Sequence, residues 1–211
     1  MQPFTCRAPL LAGRPSRPTG WSSGTGSVER VKWTVHGERP IYRSEWVGLT
    51  MVDVEVPATP GHPARRFEHH VVRSRGPAAG VVVTDDDAIL LLWRHRFITD
   101  TWGWEIPAGG VETDERSEDA AAREVLEETG WRPGPLTHLF DVHPVNGAGD
   151  YRFDLYRAHG AQHVGDPSDP SESERVEWLP VARLRDEIRA GRVCDGLSLS
   201  ALLWCLAFDE L

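Results

Sequence analysis

Residues 109–131, GGVETDERSEDAAAREVLEETGW, decide the reading of this chain. Gly109 and Gly110 with the polar run Thr113–Arg116 read as a tight loop. Ser117 is a good N-cap, and Glu118 and Asp119 stand in the first turn, where the helix dipole favours acids. The spacing predicts a helix over 117–129 with Gly130 as its left-handed stop. At 3.6 residues per turn Ala121, Val125 and Thr129 share one face, and Glu124, Glu127 and Glu128 lie together on the next. Three carboxylates then point at one spot.

A merely solvated acidic face explains this run poorly. Glu124 and Glu128 are like charges at i and i+4, which costs a few tenths of a kcal/mol, and Glu127 adds to the repulsion. A divalent cation reverses that sign. Carboxylates completed by water and substrate phosphate are what Mg2+ takes, with Mn2+ as the alternative. Arg123, beside the cluster, is able to hold one glutamate through a forked pair.

Gly109, Glu115, Arg123, Glu124, Val125, Glu127, Glu128, Gly130 and Trp131 resemble the Nudix box of the Nudix hydrolases, with every fixed position filled. Apart from the apolar positions Val125 and Trp131, the seven fixed positions coincide by chance on the order of once in 10^8 windows. The one soft position is Trp131, where the family more often carries an aliphatic residue. Around the box, WRHRF at 93–97, WEIPAGG at 104–110, VEWLP at 176–180 and the closing AGRVCDGLSLSALLWCLAF resemble the ADP-ribose or ADP-sugar pyrophosphatase branch, so that the likeness covers roughly residues 36–208.

The resemblance implies that Glu124 and Glu128 are the main metal ligands together with the Ala108 carbonyl. By the same likeness Glu127 is a ligand or a base acting through water, and Glu115 and Arg123 support them. A loop glutamate downstream of the box is implied to hold the attacking water. Glu172 and Glu174 are the candidates, and counting back from Trp178 favours Glu172. Arg96, or its neighbour Arg94, is placed to meet substrate. Trp46, Trp102 and Trp104 read first as core packing and second as candidates to stack a base, and Glu105 is grouped with the substrate-binding residues. The implied reaction is hydrolysis of the diphosphate of ADP-ribose or a related nucleoside diphosphate sugar, giving a nucleoside monophosphate and a sugar phosphate. Modified nucleoside triphosphates are the next substrates, and a Nudix-fold ligand-sensing module is the reading from another class. Pro144 stands 13 residues after Trp131, short of the spacing in ADP-ribose-specific members, so the segment HPVNGAGDYRF leaves sugar and base open.

Composition agrees with a metal-bridged anionic substrate. The chain has 211 residues, 40% hydrophobic, and a formal net charge of −9; residues 28–211 carry all 32 acids. No nucleic-acid footprint is present, and no apolar run is long enough to span a membrane. Cys6, Cys194 and Cys205 have no ligand spacing and an odd count, which reads as reduced thiols in the cytoplasm. His69, His70, His138, His143 and His163 fit no zinc template.

Residues 1–27, rich in Pro, Gly and Ser, read as a disordered tail, with Val28 as an alternative start. Residues 28–75 form an N-terminal strand segment, read as a strand pair over 41–56 and a returning strand over 67–73. The resemblance implies that this segment exchanges across a homodimer. Residues 76–211 are the hydrolase domain. There, strands at 79–83 and 88–93 flank the Asp85–Asp87 turn, strands at 136–145, 151–157 and 175–179 follow the central helix, and amphipathic helices cover 181–190 and 197–208. The fold class is an α/β/α sandwich on a mixed sheet, plus the small N-terminal strand piece.

Overall fold

The computed structural model describes residues 31–168, 172–208 and 210–211. The tail expected at 1–27 lies outside the described residues. Three strands, β1 (Thr34–Arg43), β2 (Val47–Val56) and β3 (Arg65–Ser74), form an antiparallel sheet of their own. The first half of β1 is not legible in the sequence, because Gly37 and Pro40 argue against a strand. Pairing with β2 overrides that. The register slips between Val35 and Gly37 and again between Pro40 and Tyr42, so irregularities absorb both residues on an edge strand.

The second sheet holds the core. β4 (Ala78–Asp85) and β5 (Ala88–Arg96) meet through the three-aspartate turn, where Asp86 takes the left-handed conformation at φ 47°. β6 (Thr101–Glu105) pairs with β5, and β7 (Ala108–Gly110) pairs with β4. α1 (Ser117–Thr129) follows. After β8 (Trp131–Pro133) come β9 (Leu136–Val142) and β10 (Phe153–His159), then β11 (Ala161–His163), which pairs with β8. β12 (Arg175–Pro180) closes the sheet, before α2 (Val181–Arg189) and α3 (Gly196–Ala207). The order is β12-β5-β4-β10-β9, with β10 parallel to β4 and antiparallel to β9, so the sheet is mixed.

Alternation along the strands splits the core into two layers. Val81, Val83 and Leu90 pack with Ala120, Ala121 and Val125 of α1 on one face. Val82, Ile89 and Leu91 pack with Leu184 of α2 and Leu197, Ala201 and Leu202 of α3 on the other. The result is the α/β/α sandwich that the pattern predicts. β6, β7, β8 and β11 were not legible, since strands of three to five residues are too short to show a period. The break between the sheets falls between Ser74 and Ala78, and backbone bonds from Val72 N to Ala148 O and from Asp150 N to Val72 O tie β3 to the loop before β10.

α1 begins and ends at the expected residues, but Ser117 does not cap it. Arg116 is the capping residue, with extended backbone and no side-chain cap bond. Ser117 Oγ instead donates to Asp154 Oδ2 on β10, a charged acceptor that outcompetes a local backbone contact. At the other end Gly130 has φ 75° and donates to Leu126 O.

Candidate active site

The box residues gather on the α1 face of the sheet. Arg123 is the hub. Its Nε and Nη2 fork onto Glu115 at 2.9 and 3.0 Å, Nη1 reaches Glu124 at 2.7 Å and Glu127 at 2.9 Å, and Nη2 also donates to Gly110 O. The Glu115 carboxyl is held below its usual range by that fork and by the Glu112 N–H. Loop, strand and helix are thus pinned to one guanidinium.

Glu128 lies deeper, at 6% exposure. Ala108 N donates to its Oε2 at 2.8 Å, and Arg94 Nη2 donates to its Oε1 at 2.5 Å. Burial pushes its carboxyl up to about 6, against the pull of Arg94 and the Ala108 N–H. Burial also raises the Glu124 carboxyl; Arg123 opposes the shift, and the charges of Glu127 and Glu172 add to it. The downstream loop therefore brings Glu172 within electrostatic reach of the box. Glu174 sits just before β12, its N–H donated to Trp93 O.

Gly109 belongs to strand β7, opposite Ala79, and not to the tight loop expected of it. Its backbone is not left-handed. The position needs glycine for another reason: a Cβ there would overlap the Glu124 carboxylate. The helix can approach the strand closely only where that side chain is missing.

A model of the NUDIX domain matches residues 74–194, more than half of the chain. The chain belongs to the Nudix family of hydrolases. It is 37% identical over 173 residues to the CMP-5'-(N-acetyl-N-hydroxy-3-aminopropyl)phosphonate hydrolase of Streptomyces rubellomurinus (strain ATCC 31215), covering 82% of each chain. To the ADP-ribose pyrophosphatase of Bacillus subtilis (strain 168) it is 29% identical over 149 residues, 71% of this chain and 77% of that one. Among solved structures it is similar to an ADP compounds hydrolase, with a TM-score of 0.70 and 20% identity over 85% of this chain and 95% of the other, a likeness of fold.

Strand parity sorts the remaining expectations about this Nudix site. Along β5, Ile89 and Leu91 face α2 and α3, whereas Arg94 and Arg96 follow Leu90 onto the α1 side. Arg96 forks onto Glu105 through Nε at 3.0 Å and Nη2 at 2.6 Å. Glu105 is only 4% exposed, and its carboxylate is taken up by Arg96. Trp104 takes the core-packing place read first for it. It is 3% exposed, packs in the layer under α2 and α3, and donates Nε1 to Glu187, so the sheet stands between it and Glu128. Trp102 stacks on Trp93 on that same side. Trp46 is 69% exposed in the turn between β1 and β2, with the Arg75 guanidinium over its ring.

Arg94 is a buried partner of the box that its sequence context does not single out. Read as a surface charge or an alternative to Arg96, it is 6% exposed and bonded to Glu128. The signal was its even spacing from Leu90 and Leu92 along an apolar strand.

The donor set suits a hard divalent cation. Among the described residues Glu105, Glu115, Glu124, Glu127 and Glu128 pair with the guanidinium groups of Arg94, Arg96 and Arg123, and the charge of Glu172 adds to theirs at Glu124, which leaves a surplus of negative charge on oxygen ligands. Among the described residues no three acidic, His or Cys side chains already form a metal-holding group. Glu124 and Glu127 are drawn onto Arg123 and Glu128 onto Arg94, so that the carboxylates spread around two cations of the protein itself.

Proposed function

We propose that this Nudix hydrolase cleaves the phosphoanhydride joining a nucleoside 5'-monophosphate to a small phosphorus-bearing group, with ADP-ribose or a related nucleoside diphosphate sugar as the first substrate to test. The observation that carries the reading is the gathering of the box carboxylates around Arg123 on the same sheet face as Arg96, half-exposed beside them. Glu124, Glu127 and Glu128 hold the divalent cation, Mg2+ or Mn2+, with the Ala108 carbonyl completing the set. When bound, the cation neutralises phosphate charge and makes water a better nucleophile. Glu172 orients the attacking water, and Arg96, steadied by Glu105, receives a phosphate oxygen. Glu115 and Arg123 keep loop and helix in register. Water adds to one phosphorus, the bridging P–O bond breaks, and a nucleoside monophosphate and a sugar phosphate leave.

A second reading concerns the leaving group. The greater identity to the phosphonate hydrolase, over more of the chain than to the ADP-ribose pyrophosphatase, favours a cytidylyl phosphonate. Such a compound carries the same linkage between a nucleoside monophosphate and a second phosphorus. By the family likeness the N-terminal sheet exchanges across a homodimer, and Trp46, exposed on that sheet, is positioned to stack a base. Cys194 is an exposed free thiol, which fits a reducing compartment such as the cytoplasm.

The test is a Mg2+ assay, with and without chelator, on ADP-ribose, other nucleotide sugars, a CMP-phosphonate and nucleoside triphosphates, in 18O water to mark the attacked phosphorus. Label in one product of a two-phosphorus substrate is expected. A tenfold or greater preference for triphosphates in kcat/KM overturns the substrate class and leaves the hydrolase intact.

A further inference from the structure

Arg94 has no part in the reaction as set out above, and we propose that it is a positioning residue: it holds the Glu128 carboxylate in the orientation in which Glu128 takes the divalent cation, with Glu105 as the second anchor for Arg94 itself. The proposal rests on the reading of Glu128 as a metal ligand.

Glu128 is rooted on α1, yet both its oxygens are tied to the sheet, Oε1 to Arg94 on β5 and Oε2 to the Ala108 N–H on β7. One contact would leave the carboxylate free to turn about its last bond; two contacts to different strands fix its plane. Each oxygen retains a second lone pair for a further partner. Arg123 does not do this work, because its donors go to Glu115, Glu124, Glu127 and Gly110 O. Arg94 in turn faces a second carboxylate on its other side, Nε lying 3.9 Å from Glu105 Oε2, an attraction between charges without a hydrogen bond. Arg96, Glu105, Arg94 and Glu128 thus form one row of alternating charge from the half-exposed edge of β5 to the buried carboxylate.

Stability is a poor account of this arginine. It is almost wholly buried, and its Nε has no hydrogen-bond partner among the described residues, an arrangement that costs free energy where an apolar side chain would not. A planar fork that reaches toward two carboxylates at once is what lysine cannot supply, since lysine brings a point charge on a flexible stem.

Mn2+ binding to the full-length protein without substrate, read from the free-ion EPR signal, tests this in wild type, Arg94→Lys, Arg94→Gln and Glu128→Gln, alongside thermal melts. Losses of roughly 10- to 100-fold in affinity are typical when a group orienting a ligand is removed. Arg94→Lys, which keeps the charge, is expected to melt close to wild type yet bind Mn2+ about 10-fold more weakly, with Arg94→Gln weaker still. Should the glutamine variant fail to fold, the lysine variant decides alone. Wild-type Mn2+ affinity in Arg94→Lys, with weakened binding in Glu128→Gln, overturns the positioning role and leaves the metal reading standing. Unchanged binding in Glu128→Gln overturns both.

Discussion

Replacing Gly109 by alanine should separate function from fold at this site. The position lies within β7, paired with β4, and its backbone is not left-handed, so alanine brings no dihedral strain. What it brings is a methyl group where the end of the Glu124 side chain lies. The carboxylate is the far end of a flexible chain and yields by about 1 Å, losing its bond from Arg123 Nη1. That loss of a charged hydrogen bond costs about 1.5–3 kcal/mol, and the stiffer unfolded chain returns about 0.4–1 kcal/mol. Net stability therefore falls by about 0.5–2.5 kcal/mol. Catalysis is far less tolerant: a displacement of about 1 Å of a cation-holding group is expected to lower kcat/KM about 10^2-fold, close to 2.7 kcal/mol of transition-state stabilisation. Thermal melts by circular dichroism and a Mg2+ titration of turnover on the best substrate read the two quantities. Turnover within threefold of wild type at saturating Mg2+ would refute the requirement for Glu124 at this spot. A loss of several kcal/mol in stability would show that the glycine serves the backbone instead.

Two further outcomes are expected. Glu172→Gln should lower kcat about 10^2-fold, whereas Glu174→Gln should stay within twofold, because Glu172 makes its charge felt at Glu124 while Glu174 is anchored on Trp93 O beside β12; equal effects in steady-state kinetics would remove the distinction. Glu187, 5% exposed on its side chain, has its carboxyl lowered to about 2 by the Arg192 hydrogen bond, against burial and with help from Arg183 and Trp104. A depressed carboxyl contributes stability that is present above its ordinary value of 4.5 and lost as pH falls through about 2, here about 2–3 kcal/mol. Glu187→Gln should therefore melt about 5–10 °C lower at pH 7, and the gap should close as pH falls towards 2; a gap that stays constant from pH 7 to pH 2.5 would exclude this ion cluster as its source.

The helix over 117–129, its Gly130 stop and the neighbouring placement of Glu124, Glu127 and Glu128 were legible in the chain itself, because the α-helical period is set by local backbone geometry. The two apolar strands around the aspartate turn were legible for the same kind of reason. What depends on a partner far away in sequence was not. β1 forms across Gly37 and Pro40 because β2 offers a ladder, and Ser117 turns from the helix to Asp154, 37 residues on. Gly109 looked like a turn glycine until Glu124 came to lie against it. Arg94, readable as a surface charge, lies instead beneath α1 on Glu128, since side-chain parity on a strand has no absolute sign until helices cover its two faces. Burial of a charge is decided by the assembled fold, which supplies the compensating charge: Glu128 and Glu105 are buried only because Arg94 and Arg96 come with them on β5.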